Sequence, residues 1–329
     1  VIAESRPGAV ATGRRVAWFS WVLGGALLVA VIGGAVSLSE ERAFVRVAQR
    51  AEPLWLVAAF VLQLATYLAQ GGIWRRVARE AGYRLPRRTA FEFSLAKLFV
   101  DQALPSAGLS SSFLIANALS QRQVPTGAVN ASVLINITSY NLAFAAALIG
   151  ALPILALGGH ASAPVVAATI LFLMFSAGLS GVTLALAGRS SDRVTGIAGR
   201  LPAVRTVLAF LADADARLIR SARLLASTVG LQVAIVLLDA ATVWTLIVAL
   251  GGSASPVDIF AAFIVASLFR TMGVVPGGLG VFEASSVLML RSVGTDLAVA
   301  LSATLLFRGL SFWLPMLPGY WFAHRAVAS

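Results

Sequence analysis

Six apolar runs dominate this sequence, at 16–36, 54–74, 126–150, 164–187, 224–250 and 297–322. A helix needs about 20 apolar residues to cross the hydrocarbon of a bilayer, and each run is near or above that length. The remainder cannot dilute them into a soluble domain, because 59% of the chain is hydrophobic and 12% charged. The sequence therefore predicts an all-α polytopic membrane protein. It has no cysteine and two histidines, His160 and His324, both outside the apolar runs. A disulfide framework, a cysteine metal site and a histidine-based centre are excluded. No cofactor, metal or catalytic residue is expected.

Two further apolar regions, 91–119 and 259–290, are broken in the middle. Pro105 and Gly108 interrupt the first; Pro276, Gly277, Gly278 and Gly280 interrupt the second. The arms of the first, 91–104 and 107–119, each extend about 20 Å at about 1.5 Å per residue, short of a core of about 30 Å. Each region is read as a re-entrant helical hairpin that enters and leaves on one side.

Loop charge sets the orientation. The chain carries 25 basic and 14 acidic residues, a formal net charge of +11, and every basic residue except Lys97 is arginine. Arginines cluster before the first run (Arg6, Arg14, Arg15), and that run is longer than the apolar core of a cleaved leader, which favours a retained span there. They also cluster in 75–90 and in 188–223, where seven face three aspartates. Segments 158–163 and 251–256 carry no formal charge, and loop 37–53 is balanced. The positive-inside rule then puts both termini, loop 75–90, the return of the first hairpin at Arg122, and 188–223 on the cytoplasmic side. The second hairpin returns outside, at Arg291. Membrane orientation accounts for the basic excess, and no nucleic-acid partner is expected.

These assignments give one membrane domain over 1–329 with an inverted-topology repeat: 16–150 with hairpin 91–119, and 164–322 with hairpin 259–290, joined by a cytoplasmic linker at 188–223. LAKLFVDQALPSAG (95–108) and VASLFRTMGVVPGGLG (265–280) share Ala-x-Leu-Phe and a following Pro. Inverted repeats place substrate sites near the bilayer midplane, where broken helices meet. In the linker, 201–220 reads as a surface helix with arginines near anionic headgroups.

Five charged residues lie away from the ends of the apolar segments or beside their breaks: Asp101, Asp239, Arg270, Glu283 and Arg308. Each costs about 2.5–3.5 kcal/mol at a helix centre on insertion scales, so none is expected to face lipid. Glu283 and Arg308 are expected to pair or to share a ligand; the alternative role is an ion pair that fixes helix packing. Arg270 and Asp101 precede the two breaks and would flank the same cavity. Lys97 would snorkel to the cytoplasmic interface. The free N–H groups of each second arm offer an anion site, with Ser106 and Ser110–Ser112 as hydroxyl donors. The breaker glycines let a ligand approach backbone; close helix packing is the other use of such small residues. Asn130, Asn136 and Asn141 read as interhelical hydrogen-bond partners.

PGGLGVFE at 276–283 with LLFRGLSFWLP at 305–315 resembles the lysylphosphatidylglycerol synthase transmembrane family, the flippase-like domain of multiple peptide resistance factors. PSAGLSSS at 105–112 matches that family's first hairpin more loosely. The resemblance implies movement of a charged-headgroup lipid, phospho- or aminoacyl-, between leaflets of the bacterial inner membrane, with Glu283 and Arg308 as functional acid and base. The family's full-length synthases add a soluble aminoacyl-transferase domain; this sequence ends at Ser329, so lipid synthesis is not expected of it. The expected substrate site is Glu283, Arg308, Arg270, Asp101, Asp239, Pro276, Gly277, Gly278, Gly280, Pro105, Ser106 and Gly108. The expected partner is a lipid with a phosphate-containing headgroup, and a homodimer or a separate lipid synthase is compatible with the chain. A small-solute secondary transporter on the same scaffold and a non-catalytic partner of a synthase stay open as alternatives. A membrane enzyme would need a nucleophile or metal constellation that the sequence does not offer.

Overall fold

The computed structural model describes residues 51–103, 109–187, 202–272 and 275–328. The expected first span and the turn of the first hairpin, with Pro105, Ser106 and Gly108, lie outside the described residues. Among the described residues there are helices and no strands. They are α1 (Pro53–Glu80), α2 (Arg87–Ala103), α3 (Leu109–Ser120), α4 (Thr126–Leu157), α5 (Ala163–Leu186), α6 (Pro202–Ala212), α7 (Ala216–Ile219), α8 (Ala222–Ala249), α9 (Pro256–Met272), α10 (Val281–Ser292), α11 (Leu297–Arg308) and α12 (Leu314–Ala328). A π turn over Gly309–Trp313 joins the last two into one helix.

Five of these are long and apolar enough to cross a membrane: α1, α4, α5, α8 and the composite helix Leu297–Arg325. They overlap five of the six expected runs and overrun most of them. α1 continues to Glu80, which carries Arg75, Arg76 and Arg79 beyond the apolar stretch. Local chemistry sets several starts. Proline stands in the first turn of α1 and α5, where its missing N–H costs nothing. Side chains cap the first turns of α8 and α11: Ser221 accepts from Leu224 N–H and Asp296 from Ala298 N–H.

The succession of lengths repeats. α1, α2 and α3 have 28, 17 and 12 residues; α8, α9 and α10 have 28, 17 and 12. α4 has 32 residues, and the last composite helix has 12, five and 15 in its three sections.

α1 and α8 run antiparallel and form the most extensive helix pair. Along it Trp55 meets Trp244 edge to face, Gln63 meets Asp239, and Gln70 and Gln232 converge on Asn136 of α4. α2 packs on α12 while α9 packs on α4. Gly319 makes the first contact possible, since a Cβ there would press on the Leu95 carbonyl and Phe99. The apolar core runs between α4, α8, α9, α10 and α11, with Phe263, Phe282 and Phe307 in mutual ring contact. Leu54, Val61, Leu171, Met174, Phe175 and Leu317 point outward, as a lipid-facing surface requires.

Candidate functional site

The break at 276–280 is built by three glycines in the left-handed region: Gly277 (φ 58°), Gly278 (φ 63°) and Gly280 (φ 76°). A β-carbon is disfavoured in that region, and two of the glycines also seat side chains. A Cβ on Gly277 would overlap the Phe312 ring, and one on Gly278 would overlap the Cγ of Arg270. The backbone thus turns where an aromatic ring and an arginine stem lie against it.

Glu283 stands in the first turn of α10 and folds back over the break. Its Oε2 accepts from Gly280 N–H at 2.6 Å, and its Oε1 accepts from Arg308 Nε at 2.6 Å. Arg308 also donates from Nη2 to the Gly277 carbonyl at 3.0 Å. Its guanidinium lies 4.2 Å from the centre of the Phe312 ring, four residues on. Glu283 is 1% exposed and Arg308 3%. The two expected partners therefore meet directly. The anion site expected at the start of this arm is already filled by the protein, because Glu283 takes a free N–H and the positive end of the helix.

Arg308 ends α11, and the π turn follows. Its cause is legible. Pro315 has no N–H to return to Ser311, and Leu314 N–H bonds Gly309 instead of Leu310. The carbonyls of Leu310 and Ser311 are left free. Tyr67 of α1 donates its hydroxyl to the first; Gln102 of α2 donates Nε2 to the second at 3.0 Å. The break at 276–280 and the end of α2 therefore reach the last span within one turn of each other, the first at Arg308 and the second at Ser311.

Arg270 and Asp239 complete the cluster. Arg270, near the end of α9, is half-buried, and its guanidinium lies 5.6 Å from the Phe282 ring centre. Among the described residues it joins no salt bridge and no hydrogen bond. Asp239 Oδ1 accepts from Gln63 Nε2 at 3.3 Å and from Thr66 Oγ1 at 3.4 Å. Arg270 is within electrostatic reach of both Asp239 and Arg308.

Residues 12–319 match the pattern described as the lysylphosphatidylglycerol synthase TM region. The chain belongs to that family. It is also similar to the UPF0104 membrane protein PH1989 of Pyrococcus horikoshii, 29% identical over 103 residues, or 31% of each chain. The matched stretch thus spans about a third of the length of that curated relative. In this member of the lysylphosphatidylglycerol synthase TM family, Asp101 pairs with none of the other four charges among the described residues. It pairs with Lys97 one turn earlier, at 2.6 Å, with side chains 23% and 16% exposed. Lys97 is held by that pair instead of snorkelling alone. Ser111 and Ser112 are buried in α3. Asn136 and Asn130 bridge helices as expected, whereas the Asn141 side chain bonds the Ile137 carbonyl of its own helix. Sequence reasoning missed Gln63, Thr66, Tyr67 and Gln102. The signal was available for the first three and Gln70: spacings of three, four and seven residues put them on one face of an apolar helix.

Proposed function

We propose that this protein is a lipid flippase-like transporter that moves a charged, phosphate-bearing headgroup between the leaflets of the bacterial inner membrane. The observation that carries this reading is the convergence of the break at 276–280, the end of α2 and a cluster of four charged side chains beside the last span. Charge at that depth is costly and marks substrate or ion pathways, and broken backbone is tolerated there where it is buried in protein or lines a cavity. Family membership supports a lipid over a small solute, and exposed apolar helices leave the acyl chains in the bilayer.

The architecture belongs to the same proposal. A first span at 16–36, a linker at 188–223 and two re-entrant hairpins form two inverted repeats in one domain, with both termini cytoplasmic. The repeated helix lengths, the antiparallel α1–α8 pair and the matching α2–α12 and α9–α4 contacts support it. α2 ends beside Ser311, midway along the last span, which supports a hairpin that stops at mid-depth. Rocking of one repeat against the other then exposes the site to each side. The headgroup is bound and released unchanged, so the protein acts as a carrier and not as an enzyme. A separately encoded lipid synthase is the natural supplier of an aminoacylated substrate.

A leaflet-resolved assay on the purified chain in liposomes tests this, using fluorescent phosphatidylglycerol and dithionite or back-extraction. Protein-dependent redistribution that falls at least tenfold in Arg270→Gln and Arg308→Ala is expected. No acceleration over protein-free liposomes, with phosphatidylglycerol or its lysyl ester, would overturn the flippase reading.

A further inference from the structure

The two carboxylates of this cluster are in opposite states. Glu283 is closed: it is buried and holds a backbone N–H and an arginine that itself lies over the Phe312 and Phe282 rings. Asp239 is open: its only bonded partners among the described residues are neutral, Gln63 and Thr66, at the long end of hydrogen bonding. The two arginines divide the same way. Arg308 has a carboxylate, a carbonyl and a ring; Arg270 has none of the first two and sits half-buried beside the Phe282 ring, within electrostatic reach of Asp239 and Arg308.

Resting on the flippase reading, we infer that Arg270 is the receptor for a phosphodiester anion and that Asp239 takes up one proton as the anion binds. The reason is charge balance in a medium of low dielectric. In the empty state Arg270 is balanced by the ionised Asp239 across the α8–α9 interface. An arriving phosphodiester would compete with that carboxylate for the same guanidinium, and two anions around one cation are disfavoured when water cannot screen them. A proton delivered from water to Asp239 removes the competitor, so the empty and loaded states carry the same net charge. Gln63 and Thr66 donate to the ionised carboxylate; the neutral acid needs neither to move far, since Gln63 Oε1 is buried without a partner and can accept from it after an amide flip.

The groups around Asp239 leave it the proton acceptor. From α1, Tyr67 faces it, but the tyrosine hydroxyl is committed to the Leu310 carbonyl. From α9 comes Arg270; Arg308 of α11 is committed to Glu283. α4 carries no Asp, Glu, Lys, Arg or His, with Tyr140 its one titratable side chain, and Arg217 of α7 is at the exposed end of α8. The stem of Arg270 lies against Gly278, which keeps the receptor beside the break.

The test is binding to the purified full chain between pH 5.5 and 8.5, by calorimetry and fluorescence. One arm uses phosphatidylglycerol in nanodiscs; the other uses soluble glycerophosphoglycerol. Both carry a phosphodiester that does not titrate in this range. At the alkaline end wild-type affinity is expected to weaken about tenfold per pH unit, the slope for one linked proton. Asp239→Asn should bind with no pH dependence, and Arg270→Gln should lose at least tenfold at every pH. For wild type alone, calorimetry in two buffers of different ionisation enthalpy should report one proton taken up per anion at pH 8. A pH-independent wild type, or zero protons per anion, overturns the inference while leaving lipid binding intact. Linkage seen with the soluble diester and not with the lipid upholds the inference and overturns the flippase reading.

Discussion

Arg308 and Glu283 sit where a mistake is most expensive. Removing one member of a buried ion pair leaves the other charged in hydrocarbon, at a cost of about 3–5 kcal/mol. Arg308→Ala is therefore expected to lower thermal stability in detergent by that order, and Arg308→Lys to recover only part, because a single ammonium cannot reach both Glu283 Oε1 and the Gly277 carbonyl. Thermal melts of the three proteins check the order wild type, lysine, alanine. Gly278→Ala makes a different prediction. The left-handed φ of 63° disfavours a Cβ by about 1–2 kcal/mol, and the new methyl group strikes Arg270. Anion affinity should fall more than the melting temperature alone suggests; an affinity equal to wild type would mean that Arg270 is not held by this contact. The sequence exposed these charges because they interrupt apolar runs. It could not show that Glu283 spends one oxygen on its own helix N-terminus, since that depends on where the break ends.

At the level of elements, the last span is the informative one. Its apolar run 297–322 reads as one helix, and the π turn inside it arises from Pro315 together with contacts 209 and 243 residues away in sequence. Only the proline was visible beforehand. Tyr67→Phe should cost about 1–3 kcal/mol by leaving the Leu310 carbonyl unpaired. In a Pro315→Ala background the same change should cost clearly less, because a restored N–H can take a freed carbonyl. A double-mutant cycle by denaturation in mixed micelles measures the coupling; additive effects would sever the link between proline and tyrosine. The spans were legible because hydropathy records length directly. Their ends were less so: α1 and α4 continue past the expected runs, α1 through arginines that carry helix beyond the apolar stretch and α4 through ALPILAL at 151–157, which is itself apolar.

For the molecule as a whole, the open question is which way each part faces. The absence of cysteine makes the test direct: single substitutions Ser120→Cys, Ser255→Cys and Ser292→Cys introduce unique thiols. An impermeant maleimide added to intact cells should label Ser255→Cys and Ser292→Cys and reach Ser120→Cys only after lysis. Labelling of Ser120→Cys and Ser292→Cys from one side would sink the inverted arrangement of the two hairpins. One consequence of the π turn appears only at this scale. The section before it, α11, packs on α8 and α10, while the section after it, α12, packs on α2 and α3. The final helix is thus a shaft fixed at its two ends to different parts, with its compliant joint at Gly309–Trp313. Any displacement of the α2–α3 arm relative to α10 has to be taken up as twist or stretch in those five residues, directly beside the Arg308 guanidinium.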